Sequence, residues 1–107
     1  QHQEVVIHTF DVHADATTFI EMLDKGITLA READPESGGE IYVLASHVDP
    51  ASASQVIVYT AYPDMDTYVA NKEAMENDPR MQAFSEKMQE QDFKIVAQSI
   101  NTLVAEY

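Results

Sequence analysis

Tyr68 and Asn71 stand three residues apart in a stretch that reads as helix, so a phenol and an amide share one face. Met75 follows on that face, and Asp64 precedes it by about one turn. A phenol beside an amide can hold a phenolate or carbonyl oxygen and stabilise a developing enolate. His8, in a strand, titrates near neutral pH and suits proton abstraction. Tyr68, Asn71 and His8 are therefore the candidate catalytic residues. Tyr62, Met75, Phe84 and Arg80 are the candidate substrate contacts, with Arg80 able to gate a pocket or hold an anion. Each has a plainer alternative. Tyr68 can simply pack, Asn71 can face solvent, and a half-buried histidine is more often structural than catalytic. Arg80 can pair with a carboxylate in so acidic a chain. Met22, Met75, Met81 and Met88 recur at helical spacing, which more often marks a core than a substrate contact, although they suit a flat apolar ligand.

The elements that must position these residues are legible in the pattern. Val5 to Val12 is β-rich and predicts a first strand with His8 on the same face as Val6, Phe10 and Val12. Asp15 predicts a helix N-cap, and Phe19, Met22, Leu23, Ile27, Ala30 and Ala33 follow at helical spacing. Gly26 inside that helix predicts close packing on the sheet. The helix ends near Asp34-Pro35, and Ser37-Gly38-Gly39 predicts a loop. Ile41 to Val48 and Gln55 to Tyr62 predict two more strands, joined by a loop over Asp49 to Ser54 that is too long for a tight two-residue turn. A second helix is predicted from about Asp64 to Asn77. Asp78 then caps a further helical turn with Pro79 at its first position, and Met81, Phe84 and Met88 continue the apolar stripe. Phe93 to Leu103 predicts the last strand.

This order is β-α-β-β-α-β, an α+β chain of the ferredoxin-like plan with an antiparallel sheet, folded as a single domain over residues 1–107. Two helices cover one sheet face. The other face is also apolar, because each strand is rich in Val, Ile and Leu. Packing two such faces together in a homodimer is the simplest way to cover them.

Composition narrows the function classes. The chain has 107 residues, 45% of them hydrophobic, enough for one domain with a modest core. Its 19 acidic and 6 basic residues give a net charge of -13. That field repels phosphate backbones, so nucleic acid and anionic membranes are not expected partners. No apolar run is long enough to span a membrane. Cysteine is absent, which removes disulfides, thiolate catalysis and Cys-bound zinc or iron–sulfur sites. It also fits a cytoplasmic setting, while the start at Gln1 leaves open a removed leader. His2 and His13 lie at the terminus and in a loop, and His47 near a strand end; none is assigned a role. The four histidines form no HxH or HExxH spacing, so no metal site is expected, and one built from His8 with acidic residues is the minor alternative. No phosphate-binding loop or nucleophile elbow is present.

The stretch Thr9-Phe10-Asp11-Val12 to Ala16-Thr17, the strand end Val58-Tyr59-Thr60-Ala61-Tyr62, and Tyr68, Asn71 and Asp78-Pro79-Arg80 resemble the antibiotic biosynthesis monooxygenase family of dimeric α+β barrels, in particular its polyketide anthrone oxygenases. The Asn-Asp-Pro stretch before Phe84 is also similar to NIPSNAP domains. The resemblance implies oxygenation of an electron-rich aromatic, polyketide or quinol without flavin, haem or metal, in a homodimer. It places Tyr68, Asn71 and Arg80 on the tyrosine, asparagine and arginine given roles in that family. Tyr62 falls where a tryptophan stands, and this chain contains no tryptophan. The reading is therefore a cofactor-independent monooxygenase. The alternatives are a non-catalytic ligand-binding or structural dimer of the same fold, and a cyclase or isomerase that uses His8 as its base.

Overall fold

In the computed structural model, the described residues are 3–13, 15–36, 39–49 and 52–107. The predicted Ser37-Gly38 portion of the first loop, Pro50-Ala51 and His2 lie outside them. Among the described residues the order is β1 (Glu4–Asp11), α1 (Ala16–Ala33), β2 (Glu40–Asp49), β3 (Ser52–Tyr62), α2 (Met65–Glu76), α3 (Pro79–Glu90) and β4 (Lys94–Thr102). The strands form one antiparallel sheet in the order β2-β3-β1-β4, the expected ferredoxin-like arrangement with β1 and β3 in the centre.

Aspartate starts every helix. The Asp15 carboxylate accepts from the Thr18 amide at 3.3 Å, Asp64 from Thr67 at 2.7 Å and Asp78 from Arg80 at 2.8 Å. Each satisfies a backbone donor that the helix cannot, and each places negative charge at the favourable end of the helix dipole. Part of the chain's acidity is thus architectural.

Two expectations about the connections need correction. First, the helical restart predicted at Asp78-Pro79 is present but runs on as a full helix, α3, which makes the order β-α-β-β-α-α-β. Pro79 has no amide hydrogen and its ring excludes a continuous helix through the preceding turn. The Asn77 amide closes α2 on the Glu73 carbonyl, and the chain restarts at Asp78. Second, β2 and β3 run further than predicted and still pair at Asp49 and Ser52, so only two residues separate the paired ends. The small polar residues Ser52 and Ser54 do not signal a strand by type, and pairing with β2 overrides their propensity.

The core lies between the sheet and the helices. Val12, Phe19, Val56, Val58, Met88 and Phe93 form its main cluster. Phe19 stacks at 4.8 Å from Phe10 and meets Phe93 edge-on at 5.3 Å. Gly26 does allow a close approach, but by a helix and not by the sheet. A Cβ there would sit 2.5 Å from Phe84 Cζ of α3.

At this end of the fold two turns meet. His13 and Asp92 both take positive φ, at 49° and 60°, and the His13 ring nitrogen Nε2 lies 3.1 Å from the Asp92 carbonyl and 3.3 Å from its carboxylate. The contact ties the β1–α1 turn to the α3–β4 turn.

Among the described residues no helix covers the second sheet face. Tyr42 and Leu44 lie there, 57% and 48% exposed, beside Ile57 and Tyr59 of β3 and Ile7 of β1. Every residue of β4 is exposed.

Candidate functional site

The far end of the same helix–sheet layer is hollow. A cavity of about 430 Å³ opens there, between the sheet on one side and α1, α2 and α3 on the other. Cavities of this order hold small organic ligands. Six of the seven sequence-predicted residues line it: His8, Tyr62, Tyr68, Asn71, Met75 and Phe84.

Strand alternation and helical spacing account for the convergence. Val6 and His8 share the helix-facing side of β1, as Val58, Thr60 and Tyr62 do on β3. Tyr68, Asn71 and Met75 share one stripe of α2, as their spacing predicted. Leu23, Ile27 and Ala30 of α1 provide an apolar wall, and Met81 and Phe84 of α3 close the end toward the packed core.

A chain of hydrogen bonds runs through the polar side. The Tyr62 hydroxyl donates to Asn71 Oδ1 at 2.9 Å, and Asn71 Nδ2 donates to Asp34 Oδ2 at 3.0 Å. Tyr62 and Tyr68 are each 8% exposed, and their rings meet edge-on at 5.4 Å. Burial pushes the Tyr62 hydroxyl above its ordinary pKa, aided by the nearby Tyr68 and the Asp34 carboxylate, so it stays neutral. His8 is half-buried, and that burial pulls its imidazole below the ordinary 6.5. A neutral imidazole at pH 7 can accept a proton. Among the described residues no three histidine, aspartate or glutamate side chains gather as a metal site.

Arg80 is not in the cavity wall. Its guanidinium is 51% exposed and pairs with Glu32 at 3.0 Å and Asp78 at 3.1 Å, tying α1 to the start of α3. The plain ion-pair alternative is what the structure displays. Asp78 is the first cause of its raised pKa. Of the histidines without an assigned role, His47 is exposed and His13 sits in the turn contact far from the cavity.

Asp34 is the residue that sequence reasoning missed. It was legible only as the end of α1, where it is the C-cap. A carboxylate at a helix C-terminus opposes the dipole, but that local oddity does not name Asn71 as its partner. Gln98 and Ile95 of β4 also reach the cavity. A groove of about 680 Å³ runs on from it between α3 and β4, sharing Phe10, Phe84, Ser85 and Ile95.

No protein-family model matches the sequence, and no curated protein matches it. Solved structures do match. A dimeric ferredoxin-like protein from an uncultured marine organism superposes with a TM-score of 0.75 at 17% identity, covering 100% of both chains. A NIPSNAP domain protein from Burkholderia xenovorans gives 0.66 at 20% identity, over 96% of this chain and 94% of that one. SnoaB, a cofactor-independent oxygenase from Streptomyces nogalater, gives 0.63 at 10% identity, over 100% and 96%. The chain thus shares its fold with both groups that its sequence resembles, and at these identities the fold is what is shared. No helix among the described residues is long and apolar enough to cross a membrane.

Proposed function

We propose that the cavity binds a small aromatic molecule and that the protein is a cofactor-independent monooxygenase acting on an aromatic, polyketide or quinol-type substrate. The observation that carries this reading is the cavity itself: apolar walls with a few polar tips converging at one end. SnoaB, which shares the fold, is a cofactor-independent oxygenase.

For an anthrone-like substrate the chemistry balances with dioxygen alone. A base takes one proton from the activated CH₂. The carbanion passes an electron to dioxygen, and the resulting pair joins in a C–O bond. Loss of water leaves the ketone. His8, held neutral by burial, is the base in the wall. Tyr68 donates toward the developing oxyanion, and no hydrogen bond commits its hydroxyl elsewhere among the described residues.

The working unit in this proposal is a homodimer joined through the open sheet face. Tyr42 and Leu44 at 57% and 48% exposure are poor neighbours for water, and a second copy would cover them. Oxygen uptake with anthrones and quinols tests the enzyme. Uptake that falls at least tenfold in Asn71→Ala and Tyr68→Phe is expected; turnover unchanged in both would remove the assignment.

A second reading is a non-catalytic ligand-binding dimer. It is favoured by the Tyr62–Asn71–Asp34 chain, which spends one amide hydrogen of Asn71 and its carbonyl within the protein. Tight ligand binding without oxygen uptake would select it. Product formation in the absence of oxygen would instead select a His8-based cyclase or isomerase.

A further inference from the structure

The hydrogen-bond chain behind the cavity has a direction, and the direction is set from outside the cavity. Asp34 does not line the wall. Its carboxylate accepts and cannot donate. The Asn71 amide must therefore turn its NH₂ toward Asp34, as the 3.0 Å contact has it. That orientation leaves Asn71 Oδ1 facing Tyr62, 2.9 Å from the hydroxyl. A carbonyl oxygen only accepts, so the single hydroxyl hydrogen of Tyr62 is committed to it. What Tyr62 has left is its oxygen lone pairs, made more basic by the chain that ends on a carboxylate.

We infer that Tyr62 acts on the ligand as a hydrogen-bond acceptor, so that the cavity selects aromatics carrying a free hydroxyl over their ethers and quinones. The inference deepens the proposed function and rests on the cavity being the ligand site. A phenolic hydroxyl brings the hydrogen that Tyr62 lacks. A methoxy or quinone oxygen brings only lone pairs and leaves two acceptors facing each other where the ligand has displaced water, which is costly. Burial keeps the Tyr62 hydroxyl protonated and the chain intact. Asp34 is thus a specificity-determining residue that never touches the ligand.

The test uses 1-naphthol and 1-methoxynaphthalene, which share a skeleton and differ in the one hydrogen. Their affinities are measured by fluorescence titration of the whole chain and of two variants. The naphthol-to-ether affinity ratio falls about fivefold to tenfold in Tyr62→Phe, which has no acceptor. In Asp34→Asn the amide chain can run in either direction, Tyr62 can donate, and the ratio falls toward the Tyr62→Phe value through tighter ether binding. A merely structural Asp34 would weaken both probes alike. Both probes bound, with the ratio unchanged in both variants, overturns the inference and leaves the cavity as the ligand site. Neither probe bound by the wild-type chain overturns the site reading and the inference with it.

Discussion

The two ends of the helix–sheet layer are built from the same strands and helices and finish differently. At one end Val12, Phe19 and Val56 are fully buried and Phe10, Phe19 and Phe93 meet ring against ring, with the α3–β4 groove running along the outer side of Phe10, Met88 and Phe93. At the other end Val6 is flanked by Tyr62 and Tyr68, and about 430 Å³ is left empty in front of them. An apolar layer gains most when it is filled. A hollow end with polar tips forgoes that packing, and in the proposed function the ligand binds at the Tyr62 end while the Phe19 end carries stability.

The largest effect should come from the filled end. Phe19→Ala removes a ring from a fully buried site and should cost about 3–5 kcal/mol of unfolding free energy in a denaturant titration. A loss below about 1 kcal/mol would mean that the two ends do not differ as described. Next, Leu44→Glu places a charge on the open sheet face. It should weaken self-association at least tenfold by light scattering while leaving the monomer's fold intact; an unchanged dimer would place the interface elsewhere.

Gly26→Ala sharpens the contrast from the boundary between the ends. The new methyl would meet the far end of the Phe84 ring at 2.5 Å, and Phe84 has the cavity to swing into. Helix propensity gains roughly 1 kcal/mol from the change. Stability should stay within about 1 kcal/mol of the wild type, while affinity for 1-naphthol drops about tenfold. A large loss of stability with affinity retained would mean that Phe84 has nowhere to go.

The smallest effect is a pH dependence. The folded-state pKa of His8 lies below its unfolded value of about 6.5. The unfolded chain therefore binds the proton more readily, and the His8 contribution to stability is intact above pH 6.5 and is lost as the pH falls below it. Because His8 is only half-buried, the change should be less than about 1 kcal/mol, and His8→Gln should flatten that part of the curve.

Element order was readable because strands and helices here obey their periods: alternation put His8 beside Val6, and the spacing of Tyr68, Asn71 and Met75 put them on one wall. The split of α2 from α3 was signalled by Asp78-Pro79, but a single Asp-Pro reads equally as a kinked helix restarting. The hairpin was misjudged because small polar residues take strand geometry only when a partner strand supplies the pairing. Arg80 was named a site candidate from its charged tip and by resemblance, with an ion pair as the plainer alternative, and a guanidinium next to Asp78 and within reach of Glu32 takes that alternative. Asp34 was invisible as a site residue because its link to Asn71 joins positions far apart in sequence, and no local pattern encodes that.

The most direct measurement is a ¹³C-methyl methionine spectrum of the chain titrated with 1-naphthol. Met75 and Met81 line the cavity, whereas Met22 packs against the filled core. The Met75 and Met81 signals should move together along one binding isotherm while Met22 stays in place. Saturable binding that shifts Met22 and leaves Met75 and Met81 unmoved, or no binding at all, would contradict binding in the cavity.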